Sequence, residues 1–538
     1  MTPADPHLSR LATGGLLSIA GSGVSSLAGI ALVAVVTNGF SRGLAGTLFA
    51  ATAVWVIMSA VTQLGTEVGL VRWLPVLRAT GRTSEIPSLL RIAFAPVLVA
   101  SILLAGASLL LAGTVAPYLF GAEHSDDGAV MLICLAFFIP VNCVYHSLLA
   151  ATRGMGTMSV TVVVDLIGRS LGQPVAVIVV AWALPGDARA LVLAWLLPFL
   201  PACACAAVAL RRQVRRALLR DGQQPLPAGE PATPTDGEAT PGTGTALWKD
   251  FWSFTSPRAL ATLSQAALKR VDIVLVAALR SPAEAAVYTA ATRFVVLGQL
   301  AVQAIQQALS PLLSGLFARD DRESAQRLFQ TATAWMMTMG WPVYLVSAGV
   351  APLILSIFGD GYSEGTSVVV ILALAMLLAT ACGSVDTVLL MGGRSWLSLL
   401  NNLSALAVNV VLNLLLIPPY GIVGAAISWA VAIVVRNLLP MVQVRLGFGL
   451  YPGGPAASWV ALSALGCFGL PALALVAVDA SSWVILGVAV VIGTPAYLAL
   501  LWWRRTALHL PLLGQTLRAR ARGRRGSAAA AATAQPDA

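Results

Sequence analysis

Thr255, Arg258, Thr262, Gln265, Lys269 and Asp272 recur every three or four residues through a tract that is otherwise apolar. On a helix this spacing makes one continuous polar face. Arg270 adjoins it, so three cations and one acid fall within a stretch that hydropathy alone would assign to lipid. An ionisable side chain at mid-bilayer costs at least about 2.5 kcal/mol unless it is hydrated or paired. Such a face therefore belongs on a shared polar interior. Counted inward from Arg280, Lys269 lies roughly 15 Å deep at about 1.5 Å per residue.

Other apolar tracts carry similar stripes. Thr292, Gln299, Gln303, Gln306 and Ser310 share a face with Arg293 beside it, and Asn402, Asn409 and Asn413 form another. Asp165, Arg169 and Gln173 are spaced by four, while Glu67, His146 and Asp386 stand alone in their tracts. Two kinds of role are open to these residues. Lys269 with Asp272 and Asp165 with Arg169 have the spacing to neutralise each other, and Gln or Asn stripes also serve as glue between helices. Glu67 is within reach of Arg72, and a lone His such as His146 is most often a hydrogen-bonded core residue. Arg258 and Arg293 have no local acid and weigh most toward ligand binding.

The elements that position these groups follow from composition. The chain has 538 residues, 58% hydrophobic and 10% charged, with mean hydropathy +0.83, outside the range of soluble domains. About fourteen apolar runs are long enough to cross a hydrocarbon core of roughly 30 Å as helices. The expected fold is an all-α polytopic membrane protein. The net charge of +10 does not point to nucleic acid, because the basic residues alternate by loop. Arg72, Arg78, Arg82, Arg153, Arg211, Arg212, Arg215, Arg216, Arg319, Arg394 and Arg445 fall on one side. The other holds Arg42, Arg189 and Arg280 among Glu123, Asp187, Glu284, Asp360 and Glu364. The positive-inside rule then puts both termini in the cytoplasm. Six cysteines lie in or beside apolar runs without metal-ligand spacing and read as small core residues. No cofactor is called for.

A segment rich in Pro, Gly and Thr, 218–247, reads as a disordered cytoplasmic linker, and 506–538 as a basic, disordered, solvated tail. On either side of the linker the chain repeats itself. A shift of 240 residues lays Phe49–Ala53 on Thr289–Arg293 and brings Val115 near Val350. Arg258, Thr262 and Gln265 fall on Ser18, Ser22 and Ser25, and His146 on Asp386. Polarity keeps its place while its chemistry changes. The unit is about six helices, so 11–217 and 248–447 are expected to be two bundles related by a parallel pseudo-twofold, with two further helices in 456–505.

Two six-helix halves plus two helices, with "VDIVLVAALRSPAEAAVYTAATRF" from Val271, "YGIVGAAISWA" from Tyr420 and "GLVRWLPVLRATGR" from Gly69, resemble the polysaccharide-transporter (Wzx-type oligosaccharide flippase) family. Its superfamily includes multidrug extruders and lipid II flippases. The resemblance covers most of Leu11 to Leu450. It implies two bundles that move an undecaprenyl-pyrophosphate-linked oligosaccharide or polysaccharide precursor across a bacterial plasma membrane by alternating access. Arg presents a fork suited to phosphate oxygens. On that reading Arg258, Gln265, Lys269, Arg270, Arg293, Arg169 and Gln303 are substrate contacts, and Asp272, Asp165, Glu67 and Asp386 couple an ion or proton. The first helix has no charge between Arg10 and Arg42, where lipid II flippases place arginines. The implied partners are the lipid-linked glycan, membrane lipids, a glycan polymerase and glycosyltransferases, around a monomer. A cation-coupled multidrug antiporter and a lipid II flippase are the alternatives. An enzyme is not expected, because the outer loops are too short to hold a catalytic domain.

Overall fold

In lipid no water is available to backbone N–H and C=O groups, so long Leu, Ala and Val runs close their hydrogen bonds internally as helices. The protein, seen here as a computed structural model describing residues 6–221 and 244–505, has only helices as regular structure among those residues. The first half runs α1 (Pro6–Gly39), α2 (Arg42–Thr62), α3 (Thr66–Ala79), α4 (Ile86–Phe120), α5 (Ser125–Gly154), α6 (Ser170–Ala183), α7 (Ala188–Leu196) and α8 (Phe199–Asp221). The second begins with α9 (Gly244–Leu268), α10 (Val271–Leu279), α11 (Pro282–Ala318) and α12 (Arg322–Gly349). It continues through α13 (Ala351–Ser356), α14 (Thr366–Ala381), α15 (Val385–Met391) and α16 (Ser395–Phe448). The last elements are α17 (Pro455–Ala464), α18 (Leu470–Ala477), α19 (Ser482–Val488) and α20 (Thr494–Trp503). Most of the expected linker, 222–243, and the tail 506–538 lie outside the described residues.

Ten described helical segments are long and apolar enough to cross a membrane, eleven if Pro282–Leu300 and Ile305–Ala318, bent by 42°, count as one. The expected fourteen runs map onto helices less simply than the sequence suggests. α16, with 54 residues, holds two of them, because Gly421 (φ 56°, ψ −134°) interrupts it after Pro418 and Pro419. The run from Phe251 is divided between α9 and α10, and the run from Ala332 between α12 and α13. α12 opens on Arg322, Glu323 and Arg327, with Asp321 capping it by accepting from the Ser324 amide at 3.0 Å. That bond holds the Asp321 carboxyl below its usual range. Side chains such as Leu110 (84% exposed) and Trp182 (91%) face outward, as a lipid solvent requires.

Two compact units divide the described chain. One comprises the chain up to Leu300, Leu355–Leu372 and Leu399–Arg436; the other comprises Ala301–Ile354, Ala373–Ser398 and the chain from Asn437. In the first, α4 lies along α5, α1 along α6, and α2 packs on α5, α9 and α10. The second has its own core of Leu309, Leu313, Phe329, Val388, Leu389 and Val444, with α12 against α17. Loops sorted to one side by arginine parity are also neighbours. Arg42 donates to the Asp360 carbonyl at 2.7 Å and pairs with Glu364 at 3.5 Å. Elsewhere in the first unit Arg78 donates to the Met155 carbonyl at 2.7 Å; within the second unit the Arg394 guanidinium stacks on Phe448 at 4.7 Å.

α2 meets the start of α11 so closely that a Cβ on Gly46 would collide with the Pro282 carbonyl. Backbone cannot rotate aside as a flexible side chain can. Gly46→Ala is expected to destabilise the protein by about 1–3 kcal/mol, the usual range for overpacking, whereas Gly113→Ala, which meets nothing within 4 Å, is expected to be neutral. Thermal unfolding of the two variants in detergent compares them directly.

Candidate functional site

The polar face that opens the second half does not continue as one helix. α9 ends at Leu268, Lys269 and Arg270 form a turn, and α10 restarts at Val271. Arg270 has φ −132°, away from helical values. The break undoes the i, i+3 geometry expected to pair Lys269 with Asp272. Among the described residues no ion pair joins them. Lys269 is exposed and sits in the electrostatic field of Arg270 and Arg436. Asp272 turns inward, 3% exposed, and accepts from Asn413 Nδ2 at 2.7 Å and from the Tyr288 hydroxyl at 3.1 Å. Asn413 Nδ2 also reaches Asn409 Oδ1 at 3.2 Å. This carboxylate is thus held by neutral donors.

Arg169 is built differently. It closes a wide helical stretch, Thr161–Arg169, wound with i→i+5 hydrogen bonds, a geometry frequent at functional sites. Its Nε donates to Asp165 Oδ1 at 2.6 Å, its Nη1 to Gln173 Oε1 at 3.1 Å, and its guanidinium stacks on Phe199 at 4.9 Å. Phe199 belongs to an aromatic cluster with Trp55, Trp195 and Tyr145, and the Tyr145 hydroxyl donates to the same Asp165 oxygen at 3.1 Å. The expected Asp165–Arg169 pairing is present, yet the arginine retains a free edge.

That edge opens into a cavity of about 210 Å³ within the first unit, lined by Arg169, Arg270 and Arg293 together with Gln173, Ser25 and Thr289. Arg293 donates from Nε to the Thr289 carbonyl at 3.3 Å and feels the charge of Arg270. Neither Arg270 nor Arg293 has an ion-pair partner among the described residues. Ser25 and Ser170 hydroxyls share a hydrogen bond of 2.9 Å on the same wall. Ser25 of the first helix and Arg270 and Arg293 of the second half thus meet around one space.

The other expected site residues lie elsewhere. Arg258 stacks on Phe254 at 3.7 Å, beside Arg72 on the same ring at 4.0 Å. Gln265 and Gln303 are exposed on α9 and α11. Glu67 faces His146 at 3.6 Å and Arg153 at 3.2 Å, not Arg72. Asp386 accepts from Ser398 within the second unit. Arg436 escaped sequence reasoning, although it is the one charged residue between Tyr420 and Arg445. The aromatic frame was not legible as a whole, since Trp55 comes from a different tract than Trp195 and Phe199.

Residues 239–367 match the family model described as "Polysaccharide biosynthesis protein". No curated protein matches the chain at the sequence level. Among solved structures the fold is similar to the lipid II flippase MurJ in an inward closed conformation, with TM-score 0.66, 12% identity, and 92% of this chain and 99% of that one covered. It is also similar to an inward-facing multidrug resistance MATE family transporter of the MOP superfamily, with TM-score 0.62, 14% identity and coverage of 79% and 94%. A MOP superfamily transporter from Pyrococcus furiosus Vc1 (DSM3638), reported to have a binding pocket of reverse polarity, aligns with TM-score 0.50, 15% identity and coverage of 82% and 95%. The all-helical, multi-pass membrane fold read from the sequence is borne out, and the resemblance to polysaccharide-biosynthesis proteins holds over residues 239–367. These neighbours are a flippase and two transporters.

Asn413→Ala is expected to remove the shortest bond to the Asp272 carboxyl. The expected loss is about 1–3 kcal/mol, the range for a hydrogen bond to a buried polar or charged group. It should be smaller in an Asp272→Asn background, since a neutral amide needs that donor less. A double-mutant cycle on thermal stability measures the difference.

Proposed function

We propose that the chain is a flippase carrying a lipid-linked, pyrophosphate-bearing oligosaccharide or polysaccharide precursor across the bacterial plasma membrane by alternating access. One observation carries this reading: Arg169 from the first half and Arg270 and Arg293 from the second line a single cavity, and the one carboxylate paired there, Asp165, is held by Arg169 alone. Buried like charge of this kind is stabilised by an anion. A diphosphate has the charge for it and oxygens that suit guanidinium forks.

The size of the cavity separates headgroup from glycan. At about 210 Å³ it is smaller than the roughly 300–1,000 Å³ of pockets that enclose a drug-sized molecule. It admits the phosphates and requires an open state for the sugars. Gln173, Ser25 and Thr289 supply neutral hydrogen-bonding groups at the rim. Asp272, buried among neutral donors away from any cation, is the best placed of the four acids to bind and release a proton or cation during the cycle. Glu67 and Asp165 are already occupied by Arg153 and Arg169. A glycan polymerase and glycosyltransferases would supply and consume such a substrate.

A drug antiporter of the same fold would want acidic or aromatic walls for cationic compounds, and the cationic lining disfavours it. The Pyrococcus transporter, whose pocket of reverse polarity is taken to suggest a different function, is a precedent for reading substrate from pocket charge.

Arg270→Gln with Arg293→Gln is expected to lower translocation of the lipid-linked glycan at least about a hundredfold, as loss of charge-assisted contacts worth roughly 1.5–3 kcal/mol would predict. Protein level and melting temperature should hold or rise, because two half-buried charges without an ion-pair partner among the described residues are removed. Full glycan export by this variant in a flippase-deficient bacterial host would sink the proposal. Drug resistance conferred by the wild type in a pump-deficient host would favour the antiporter.

A further inference from the structure

Arg72 and Arg258 are both exposed, and their guanidiniums stack on one phenyl ring, Phe254, at 4.0 and 3.7 Å. Cation–π contact at an exposed site is a weak attraction. It does not discharge either arginine. Arg258 also donates to the Phe254 carbonyl at 2.9 Å, and neither arginine has an ion-pair partner among the described residues. The nearest candidate acid by sequence, Glu67, is held by Arg153 and His146. Two like charges are therefore fixed side by side with nothing to balance them.

Their placement is enforced by backbone. Gly65, at φ 74°, opens α3 against the Thr255 carbonyl of α9, where a Cβ would sit 2.6 Å from the oxygen. One turn on, a Cβ on Gly69 would meet Thr255 Oγ1 at 2.5 Å and the Phe251 ring at 2.8 Å. At both glycines α3 contributes no side chain to its contact with α9. Arg72, three residues after Gly69, and Arg258, three after Thr255, emerge together from that contact. Arg258 precedes Arg270 by twelve positions on the broken α9–α10 path, about 18 Å at 1.5 Å per helical residue. With α9 entering from the cytoplasmic side, as arginine parity indicates, this pair lies at the inner-leaflet end of the route to the cavity. Trp248 and Trp252, 5.9 Å apart on α9, sit about two to three turns before Arg258, where amphipathic rings mark a membrane interface.

We infer that Arg72 and Arg258 form a second anion site, at the inner mouth, which receives the phosphate groups of a lipid-linked substrate before they pass to Arg169, Arg270 and Arg293. The inference rests on the flippase reading for its substrate but on its own geometry for the site. Its ligand chemistry is a phosphate monoester or diphosphate on a lipid. A bulk anionic phospholipid headgroup shares that chemistry and has to be told apart.

The test uses the full chain in nanodiscs of phosphatidylcholine, titrated calorimetrically with inorganic pyrophosphate, and in proteoliposomes supplied with undecaprenyl-pyrophosphate-linked glycan. Wild type is expected to bind pyrophosphate at two sites. Arg72→Gln with Arg258→Gln should lose one of them, and should raise the half-saturating glycan-lipid concentration about tenfold with the maximal rate kept. Arg270→Gln with Arg293→Gln should lose the other site and the maximal rate. Arg72→Lys with Arg258→Lys keeps the charge and loses the stack and the fork, so it should bind pyrophosphate more weakly than wild type and more tightly than the glutamine variant. A lysine variant that binds as poorly as the glutamine variant would show that charge at this pair does not hold the anion and overturn the inference. So would unchanged pyrophosphate binding in the glutamine variant. Phosphatidylglycerol in the discs that abolishes this binding, with no change in half-saturation for the glycan lipid on mutation, would assign the pair to bulk lipid and also overturn it. If wild type moves no glycan lipid yet the glutamine variant still loses one pyrophosphate site, the flippase reading fails and the anion site stands.

Discussion

Positive charge held in a low-dielectric interior without a matching acid is the constraint around which the first unit is organised. Arg270 and Arg293 could have been neutralised cheaply by a carboxylate, as Arg169 is by Asp165. Instead the nearby acid, Asp272, is turned away to Asn413 and Tyr288. The helix break at Lys269 and Arg270 is what makes this separation possible. On a continuous helix Lys269 and Asp272 would lie on one face a single turn apart. With the turn between them, the cations go to one environment and the acid to another. A charge separation maintained against Coulomb attraction has to be supported by the rest of the fold, and the neutral donors around Asp272 and the aromatic cradle around Arg169 are that support.

The broken helix also explains why the two halves differ. In the first half the equivalent face carries Ser18, Ser22 and Ser25, which need neither pairing nor solvation to be tolerated in lipid. Charge is brought instead by Arg169, at the end of the widened stretch Thr161–Arg169. Both halves thus depart from regular α-helix where they present a cation to the cavity. An irregular backbone at membrane depth is tolerated where it lines a polar space, so the departures and the cavity account for each other.

Much of this was legible in the sequence for a physical reason: lipid makes polarity expensive, and every intramembrane Arg, Lys, Asp or Gln is therefore a signal. Arg169, Arg270 and Arg293 were named from that signal and do share a cavity. Spacing along an ideal helix was the weaker guide. It grouped Arg258 and Gln265 with Lys269, but the chain turns at Lys269, and Arg258 leaves the cavity for Phe254. It linked Lys269 to Asp272 for the same mistaken reason. The partners of Glu67, His146 and Arg153, come from another helix, and no one-dimensional period encodes them. The span count was similarly readable in composition and blurred in detail, since Gly421 joins two runs into α16 and the break at Lys269 divides one.

The distribution of acids sharpens what kind of cycle such an interior can support. A substrate anion that entered a cavity fully neutralised by carboxylates would have to displace them, and release would be favoured by their return. Here only Arg169 has such a competitor. Asp165 is held at once by Arg169 and by Tyr145, so it can yield one partner without being stranded. Arg270 and Arg293 have no counter-ion of their own to return to. Release from them requires a change in their surroundings, either water admitted to the cavity or a shift in the charge of a neighbouring group. Asp272 lies on the same short helix that begins beside Arg270, two residues along the chain. A change in its occupancy or protonation acts on the first turn of α10 and hence on the position of Arg270. The broken helix thereby joins a buried acid to a cavity-lining cation through two residues of backbone.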